Sequence, residues 1–233
     1  MSAGAPPIGL QPAALLFDLD GTLSDSFAAI ARALNLALAD HALPGHDLAW
    51  VKRHVGRGAV ELLRDAVGDD PAGARLKSVG ERFGALYRAI YLEETPPLPG
   101  AEAVLSFVHG RTSGRVAVVS NKYAALCRGW LEHWGLARYV AVVLGPDATG
   151  VHKPHPGSVL PALEAFSVAP ADALLVGDMG VDVATGQAAG IPVIAVRSDD
   201  VDPAGLLDAG AVAVLEQLGD LPAWLAENGL GWR

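Results

Sequence analysis

The chain has 233 residues, and 17 Lys and Arg against 26 Asp and Glu give it a formal net charge of −9. Hydrophobic residues make up 51% of the sequence, too many for a disordered chain, and the length suits one large domain or a core with a smaller insert. The acidic balance argues against a general nucleic-acid binder and against a polybasic membrane anchor, because both need clustered Lys and Arg.

The cysteine content and the apolar runs indicate the compartment. Cys127 is the only cysteine, so neither an intramolecular disulfide nor a cysteine-rich zinc site can form. The N-terminus lacks the charge and the apolar stretch of a secretory signal, and the longest apolar runs, such as Tyr139–Leu144, are far shorter than the roughly 18 residues that span a bilayer. We therefore expect a cytoplasmic protein without nucleic-acid or membrane partners. The sequence leaves open whether it is a monomer or a homodimer.

From Ala13 onward, short apolar runs alternate with helical patterns. The predicted strands are Ala13–Phe17, Arg115–Val119, Val140–Leu144, Ala173–Val176, Pro192–Val196 and Ala211–Leu215. These runs lack apolar–polar alternation, which is typical of strands covered on both faces. Helical stretches between most of them indicate βαβ crossovers. The predicted fold is therefore α/β, with a Rossmann-like parallel sheet flanked by helices.

One interval, residues 24–97, contains helical patterns but no convincing strand. Apolar residues recur at helical spacing over 27–38, 60–67 and 76–90. Prolines and Gly100 then form a stiff break, after which the strand–helix rhythm resumes. We therefore predict an all-helical inserted domain at 24–97 and a core built from 1–23 and 98–233. The alternative is a helical excursion packed into one undivided domain.

Polar residues follow three of the predicted strands. Asp18 and Ser120 come directly after the first and second strands, and Asp178 lies one glycine beyond the fourth. In open α/β sheets, ligands bind at the carboxyl edge of the strands. The three positions therefore predict one functional site.

The segment Asp18-Leu19-Asp20-Gly21-Thr22 carries two carboxylates. Alternate residues of an extended segment project to the same side, so Asp18 and Asp20 can face one site, and Gly21 allows a sharp turn after them. The alternative is an ordinary strand-to-helix turn. Two carboxylates two residues apart are a weak signal, but the sequence DLDGT directly after a buried strand is a much stronger one.

Two further segments offer phosphate ligands. The hydroxyl of Ser120 and the amide of Asn121 can hold phosphate oxygens at the start of a helix, or they can simply cap that helix. Lys153 precedes Pro154, which favours an extended backbone, and its ammonium can neutralise phosphate and a nearby carboxylate. The alternative for Lys153 is an exposed loop lysine.

The segment from Gly177 to Asp182 offers a metal site. Asp178 lies at a strand end, and Asp182 follows about one helical turn later. Together they can supply hard oxygen ligands for Mg²⁺, one of them through water. Alternatively, Asp182 is a favourable acid in the first turn of a helix.

In this order, DLDGT, SNK, HKPHP and GDMGVD resemble the motifs of the haloacid dehalogenase (HAD) superfamily of hydrolases. The resemblance runs from Ala13 to about Val196, and residues 55–63 add a likeness to its phosphoglycolate phosphatase branch. It implies that residues 24–97 form the family's helical cap. It also implies that Asp18 is a nucleophile that forms an aspartyl-phosphate, and that Asp20 is the general acid and then the general base.

The resemblance further implies the remaining ligands. The phosphoryl group would be held by Ser120, Asn121 and Lys153. Mg²⁺ would be bound by Asp18, the backbone carbonyl of Asp20 and Asp178, with Asp182 supporting the site from behind.

We therefore expect a Mg²⁺-dependent phosphomonoester hydrolase that acts on a small phosphorylated metabolite, with 2-phosphoglycolate as the leading substrate. Arg57 is the candidate that pairs a substrate carboxylate from the cap, unless it is a surface arginine. The alternatives are a phosphomutase of the β-phosphoglucomutase type, or a pyrophosphatase or nucleotidase of the same superfamily. A non-catalytic binding module is less favoured, because no motif residue is missing.

Overall fold

The protein is described by a computed structural model that covers residues 12–68, 70, 73–198 and 201–228. The strands are β1 (Ala14–Phe17), β2 (Val116–Val119), β3 (Val142–Leu144), β4 (Ala173–Gly177), β5 (Val193–Val196) and β6 (Ala213–Leu215). They form one sheet in the order β3-β2-β1-β4-β5-β6, and every neighbouring pair is parallel. The predicted α/β fold with a Rossmann-like parallel sheet is therefore confirmed.

Helices occupy the connections between the strands. They are α1 (Phe27–Asp40), α2 (Leu48–His54), α3 (Ala59–Val67), α4 (Ala74–Glu94), α5 (Ala101–Arg111), α6 (Ala124–His133), α7 (Pro146–Thr149), α8 (Leu160–Phe166), α9 (Gly180–Ala189), α10 (Pro203–Asp208) and α11 (Leu221–Glu227). The sequence analysis did not predict α2, because this seven-residue helix buries only Val51 and shows no apolar repeat. Among the described helices, none is long and apolar enough to cross a bilayer.

Alternate strand residues pack into two different cores, one on each face of the sheet. Leu15 and Phe17 of β1 belong to the larger core, whereas Ala14 and Leu16 belong to the smaller one, and all four are fully buried. Both faces of the strand are thus apolar, which explains why the sequence shows a continuous apolar run rather than alternation.

Between β1 and α5, the described residues form the four helices α1–α4 and no strand. The two connections to these helices run side by side. The backbone N–H of Asp25 donates to the Pro96 carbonyl at 2.9 Å, and that of Leu98 donates to the Leu23 carbonyl at 2.8 Å. We call residues 24–97 the helical insert. Its independence as a domain stays a prediction, and residues 1–11 of the predicted core lie outside the described part of the chain.

Candidate active site

The predicted site residues converge at the carboxyl edge of the sheet. Asp18 follows β1, which lies between β2 and β4, so it is flanked by the residues that follow those strands, Ser120 and Asp178. All three are buried polar residues. The sheet order alone therefore brings these three side chains together.

Asp18 is the central carboxylate. It is only 4% exposed, and its Oδ1 lies 3.0 Å from Nζ of Lys153 and accepts the backbone N–H of Leu19 at 2.7 Å. Burial raises the pKa of Asp18 to about 6, against the opposing effect of Lys153. A carboxylate held this way has a fixed orientation and a cation beside it, as a nucleophile for an anionic substrate requires.

Asp178 has one oxygen satisfied and one not. The hydroxyl of Thr22 donates to Oδ1 at 3.0 Å, whereas Oδ2 is buried and has no hydrogen-bond partner in the described part of the chain. Burial raises the pKa of Asp178 well above its usual value. A Cβ at Gly21, whose φ is +85°, would lie 2.3 Å from Oδ2, so this loop needs glycine. An unpaired buried carboxylate oxygen is costly unless a cation binds it, and it marks a ligand position.

Three carboxylates form a cluster that can hold a metal ion. Oxygens of Asp18, Asp178 and Asp182 all lie within 4.8 Å of one another. Asp182 is already engaged, because Oδ1 lies 2.6 Å from Nζ of Lys153 and Oδ2 accepts the backbone N–H of Met179 at 3.1 Å. Asp18 and Asp178 are thus the more available ligands, and such hard oxygens suit a hard divalent cation.

Lys153 is buried rather than exposed in a loop, since only 3% of its surface is accessible. Burial alone would lower the pKa of Lys153, but the carboxylates of Asp18 and Asp182 outweigh that effect and raise it. The residue therefore stays charged. The HKPHP motif predicted an ammonium near a phosphate and a carboxylate, but it did not predict that Lys153 is buried or that it contacts two carboxylates.

The side chain of Asn121 is committed to backbone groups. Its Oδ1 accepts the N–H of Lys153 at 2.7 Å, and its Nδ2 donates to the carbonyls of Lys153 at 3.1 Å and Gly56 at 2.8 Å. The Asn121 side chain thus fixes the backbone of Lys153, and its predicted role in holding phosphate stays a prediction. Ser120 and Asn121 both line the cavity described below, and among the described residues the Ser120 hydroxyl accepts the backbone N–H of Lys122 at 3.3 Å and donates to no other group.

Asp20 has a partner that the sequence analysis did not single out. Nζ of Lys122 forms an ion pair with Oδ1 of Asp20 and donates to the Tyr87 hydroxyl at 2.8 Å. Burial would lower the pKa of Lys122, but Asp20 and Tyr87 outweigh that effect and raise it, whereas burial raises the pKa of Tyr87 to about 12. The only sequence signal for Lys122 was its place in the SNK motif.

A cavity of about 320 Å³ lies between the sheet edge and the helical insert. Asp18, Asp20 and Ser120 line it from the core side. Its apolar walls include Ile30, Val55, Val60, Leu62, Leu63 and Phe83. Because two of the predicted site carboxylates, Asp18 and Asp20, line this cavity, it is the candidate substrate site.

The structure does not bring Arg57 to this cavity. Its guanidinium is exposed and forms an ion pair with Asp65. Arg88 of α4 lines the cavity instead. Within the described ranges, no carboxylate lies within ion-pair distance of Arg88. The predicted role of Arg57 in substrate recognition stays a prediction, and this geometry offers Arg88 as the better-placed arginine.

The parallel sheet brings the four motif segments together around a cluster of buried carboxylates at its carboxyl edge. Residues 15–196 match the family of haloacid dehalogenase-like hydrolases, and the chain belongs to this family. The resemblance seen in the sequence is therefore confirmed.

Similar proteins extend the match over most of the chain. A phosphoglycolate phosphatase of Rhodospirillum rubrum is 37% identical over 92% of this chain and 91% of its own. The plasmid-borne phosphoglycolate phosphatase of Cupriavidus necator is 35% identical over 94% and 95%. The crystal structure of a predicted phosphoglycolate phosphatase from Haemophilus somnus superposes with a TM-score of 0.84 at 23% identity, over 92% of this chain and 98% of the other.

Proposed function

We propose that the protein is a Mg²⁺-dependent phosphomonoester hydrolase that transfers the phosphoryl group of 2-phosphoglycolate to Asp18 and then to water. The observation that carries this proposal is the setting of Asp18, with Nζ of Lys153 on one side and the unpaired Oδ2 of Asp178 in the same carboxylate cluster. The phosphoglycolate phosphatases among its relatives support the choice of substrate.

The first chemical step is attack of the Asp18 carboxylate on phosphorus. Two like charges 4 Å apart repel by about 4 kcal/mol at an effective dielectric of 20, so the site must offset this repulsion. The buried ammonium of Lys153 provides one positive charge, and the hydroxyl of Ser120 can donate to a phosphate oxygen. Mg²⁺ would be held by Asp18, Asp178 and the backbone carbonyl of Asp20, and would supply further positive charge.

Asp20, the second carboxylate of the DLDGT motif, serves as the general acid and then as the general base. Asp20 lines the same cavity as Asp18, two residues along the chain. We assign it the protonation of the leaving alkoxide and then the removal of a proton from the water that attacks the aspartyl-phosphate. Splitting hydrolysis into two transfers at Asp18 replaces one difficult step with two easier ones.

We further propose that the helical insert acts as a cap. Its loop at Gly56 lies against the core, since the Gly56 carbonyl accepts from Asn121 at 2.8 Å. The apolar residues of the insert that line the cavity exclude water, which strengthens every charge interaction inside it. Both chain connections to the insert lie side by side, which suits a single hinge.

The carboxylate of 2-phosphoglycolate needs a cationic partner in the cavity. Arg88 is the cationic side chain of the insert that lines the cavity. A Cβ at Gly84, one turn earlier on α4, would lie 3.3 Å from a guanidinium nitrogen of Arg88, so glycine leaves room for this side chain. A guanidinium can pair a carboxylate through two parallel hydrogen bonds. We therefore assign carboxylate recognition to Arg88 ahead of Arg57.

A cytoplasmic location is part of the same proposal. The single cysteine, Cys127, is a free and fully buried thiol, which suits a reducing compartment. Detection of the protein in the soluble cytoplasmic fraction of its own cells, and its absence from the membrane and secreted fractions, tests this expectation.

The test of the function is phosphate release from a panel of phosphoesters, with Mg²⁺ and with chelator. The panel contains 2-phosphoglycolate, neutral alkyl phosphates, hexose phosphates, nucleotides and pyrophosphate. We expect Mg²⁺-dependent release that is fastest from 2-phosphoglycolate. Conversion of a hexose phosphate to its isomer without phosphate release would instead identify a phosphomutase, and fastest release from pyrophosphate or a nucleotide would replace the substrate.

A further inference from the structure

Lys122 is a core residue whose ammonium is almost enclosed between the core and the helical insert. It follows Asn121 after the end of β2, and its side chain is 9% exposed. Its Nζ contacts a carboxylate of the core, Asp20, and a hydroxyl of the insert, Tyr87. One cation thus joins the proposed general acid to the proposed cap.

Asp20 depends on this cation for its orientation. Its other side-chain contact among the described residues is a long one, from the Ser24 hydroxyl to the same Oδ1 at 3.5 Å. In the described part of the chain, no backbone N–H donates to the Asp20 carboxylate. Asp18 and Asp182, by contrast, each accept a backbone N–H. Among the described residues, Asp20 is thus held by side chains alone, as is Asp178, which accepts only from the Thr22 hydroxyl.

Tyr87 fixes Lys122 from the insert. It lies on α4 and is 4% exposed. Its ring is stacked on that of Phe83, with centroids 5.8 Å apart, and tilted against that of Tyr91, with centroids 5.6 Å apart. Nζ of Lys122 also lies 5.1 Å from the centroid of the Tyr87 ring. The packed rings leave the Tyr87 hydroxyl little freedom, so the position of α4 sets the position of the ammonium.

We propose that Lys122 and Tyr87 form a positioning pair that orients the Asp20 carboxylate for proton transfer while the helical insert packs on the core. This inference rests on the proposed phosphatase function. In the first transfer, an oxygen of Asp18 forms a bond to phosphorus, the bond between phosphorus and the ester oxygen breaks, and Asp20 gives its proton to that oxygen. In the second, the oxygen of water forms a bond to phosphorus, Asp20 takes a proton from that water, and the bond between Asp18 and phosphorus breaks. Lys122 keeps its protons throughout and orients Asp20 in both steps.

The leaving group distinguishes this role from substrate binding. An alkoxide needs a proton as it leaves, whereas p-nitrophenolate is a weak base and leaves without one, so a misplaced general acid slows only the alkyl ester. Loss of a direct contact with a substrate carboxylate would instead raise KM for acidic esters. The two roles therefore predict different kinetics for the same variant.

The experiment measures leaving-group release in a single turnover from 2-phosphoglycolate and from p-nitrophenyl phosphate, together with steady-state KM. The test variant is Tyr87→Phe, which keeps the ring but loses the hydroxyl. Tyr91→Phe, one helical turn further along α4, is the matched control. We expect Tyr87→Phe to slow release from the alkyl ester about tenfold, with nitrophenolate release and KM changed less than about twofold, because a general acid contributes roughly 10²–10⁴ in rate.

Lys122 itself gives a second test. Lys122→Met should slow release from the alkyl ester about a hundredfold, and Lys122→Arg should recover at least about tenfold of that loss, because it restores a cation beside Asp20. If Lys122→Met does not fold, Tyr87→Phe and Lys122→Arg carry the test.

Three results would overturn the positioning role: equal slowing of both esters by Tyr87→Phe, a rise in KM alone, or the same loss in Tyr91→Phe. If instead the proposed phosphatase function is wrong, the wild-type protein itself will release no phosphate. If 2-phosphoglycolate alone is rejected, the comparison uses the alkyl phosphate that the wild-type enzyme hydrolyses fastest. The positioning role is tested only by the rate of leaving-group release in each variant divided by the wild-type rate.

Discussion

Asn121 holds both peptide groups of Lys153 at once, with its Oδ1 2.7 Å from the backbone nitrogen and its Nδ2 3.1 Å from the carbonyl oxygen. The loop that carries Lys153 is thereby fixed to Asn121, which lies just beyond the end of β2. Because the ammonium lies 3.0 Å from Asp18, the Asn121 amide sets the geometry of the nucleophile indirectly.

This relationship predicts the effect of Asn121→Ala. Removing the amide leaves buried backbone groups without partners, so we expect a loss of about 2 kcal/mol in the free energy of unfolding. We also expect weaker binding of inorganic phosphate, measured by calorimetry, because Lys153 is less well fixed. Asn228→Ala, which removes a surface contact to the Trp224 carbonyl, is the control and should leave phosphate binding unchanged. Unchanged phosphate binding in Asn121→Ala would contradict the role of the amide.

Gly56 of the helical insert lies very close to Met179 of the core. Its φ is +108°, and a Cβ there would lie 2.4 Å from Sδ of Met179. Gly56→Ala should therefore cost about 2 kcal/mol through strain and overpacking and should lower turnover, because the insert no longer seats on the core.

Gly150→Ala is the matched control for Gly56→Ala. Gly150 has a φ of +74° but open space around its Cβ position, so this substitution adds backbone strain of about 1 kcal/mol without a steric clash. Urea denaturation and turnover of both variants check the comparison. Equal turnover in the two variants would show that contact at Gly56 does not matter for catalysis.

The two candidate arginines predict opposite outcomes. Arg88→Ala should raise KM for 2-phosphoglycolate about tenfold and change KM for a neutral alkyl phosphate less than about twofold, because a charged hydrogen bond contributes roughly 1.5–3 kcal/mol. Arg57→Ala removes an exposed ion pair with Asp65 and should change either value less than about twofold. A selective effect in Arg57→Ala, with none in Arg88→Ala, would return carboxylate recognition to Arg57.

The carboxylate cluster predicts how pH and metal act on stability. The pKa of Asp18 is about 6 in the folded protein against 3.8 for an unperturbed Asp, so the folded state binds more protons between these values. The contribution of Asp18 to stability without metal is therefore lost as the pH rises from about 4 to about 6.

Mg²⁺ offsets the charge that forms when Asp18 ionises. Its addition should therefore raise the melting temperature more at about pH 7.5 than at about pH 5, because protons compete with the metal at the lower pH. Calorimetric melting with Mg²⁺ and with chelator checks this, and Asp178→Asn should reduce the shift. A larger shift at the lower pH would contradict the assignment of the cluster.

The sequence predicted the sheet and the residues at its edge because both depend on local pattern. The strand β1 was visible as a continuous apolar run, and Asp18 and Asp178 were placed together by the rule that parallel strands end at one edge. The HKPHP motif placed Lys153 in the site, but its burial could not be predicted, since that depends on Asn121 and on two carboxylates distant in sequence.

In the helical insert, too, the sequence predicted the helices but not their contacts with the core. Helical spacing predicted α4, but it does not say what each side chain contacts. The contacts of Tyr87 and Arg88 were therefore not predicted, and Arg57 was named as the candidate, with an exposed surface arginine as the alternative. The contact between Tyr87 and Lys122 joins residues 35 positions apart, and the packing of the insert on the core decides it. Helix α2 was missed for a local reason, because it is short and buries a single residue.

The central claim is that Asp18 becomes phosphorylated, and a rapid acid quench tests it directly. The protein is mixed with Mg²⁺ and 2-phosphoglycolate carrying radiolabelled phosphorus, and label bound to the protein is measured within the first turnover. Our account predicts alkali-labile label on wild-type protein and none on Asp18→Asn, a nearly isosteric variant that should fold normally but lack a nucleophile. Release of phosphate by Asp18→Asn at the wild-type rate, with no label on either protein, would contradict it.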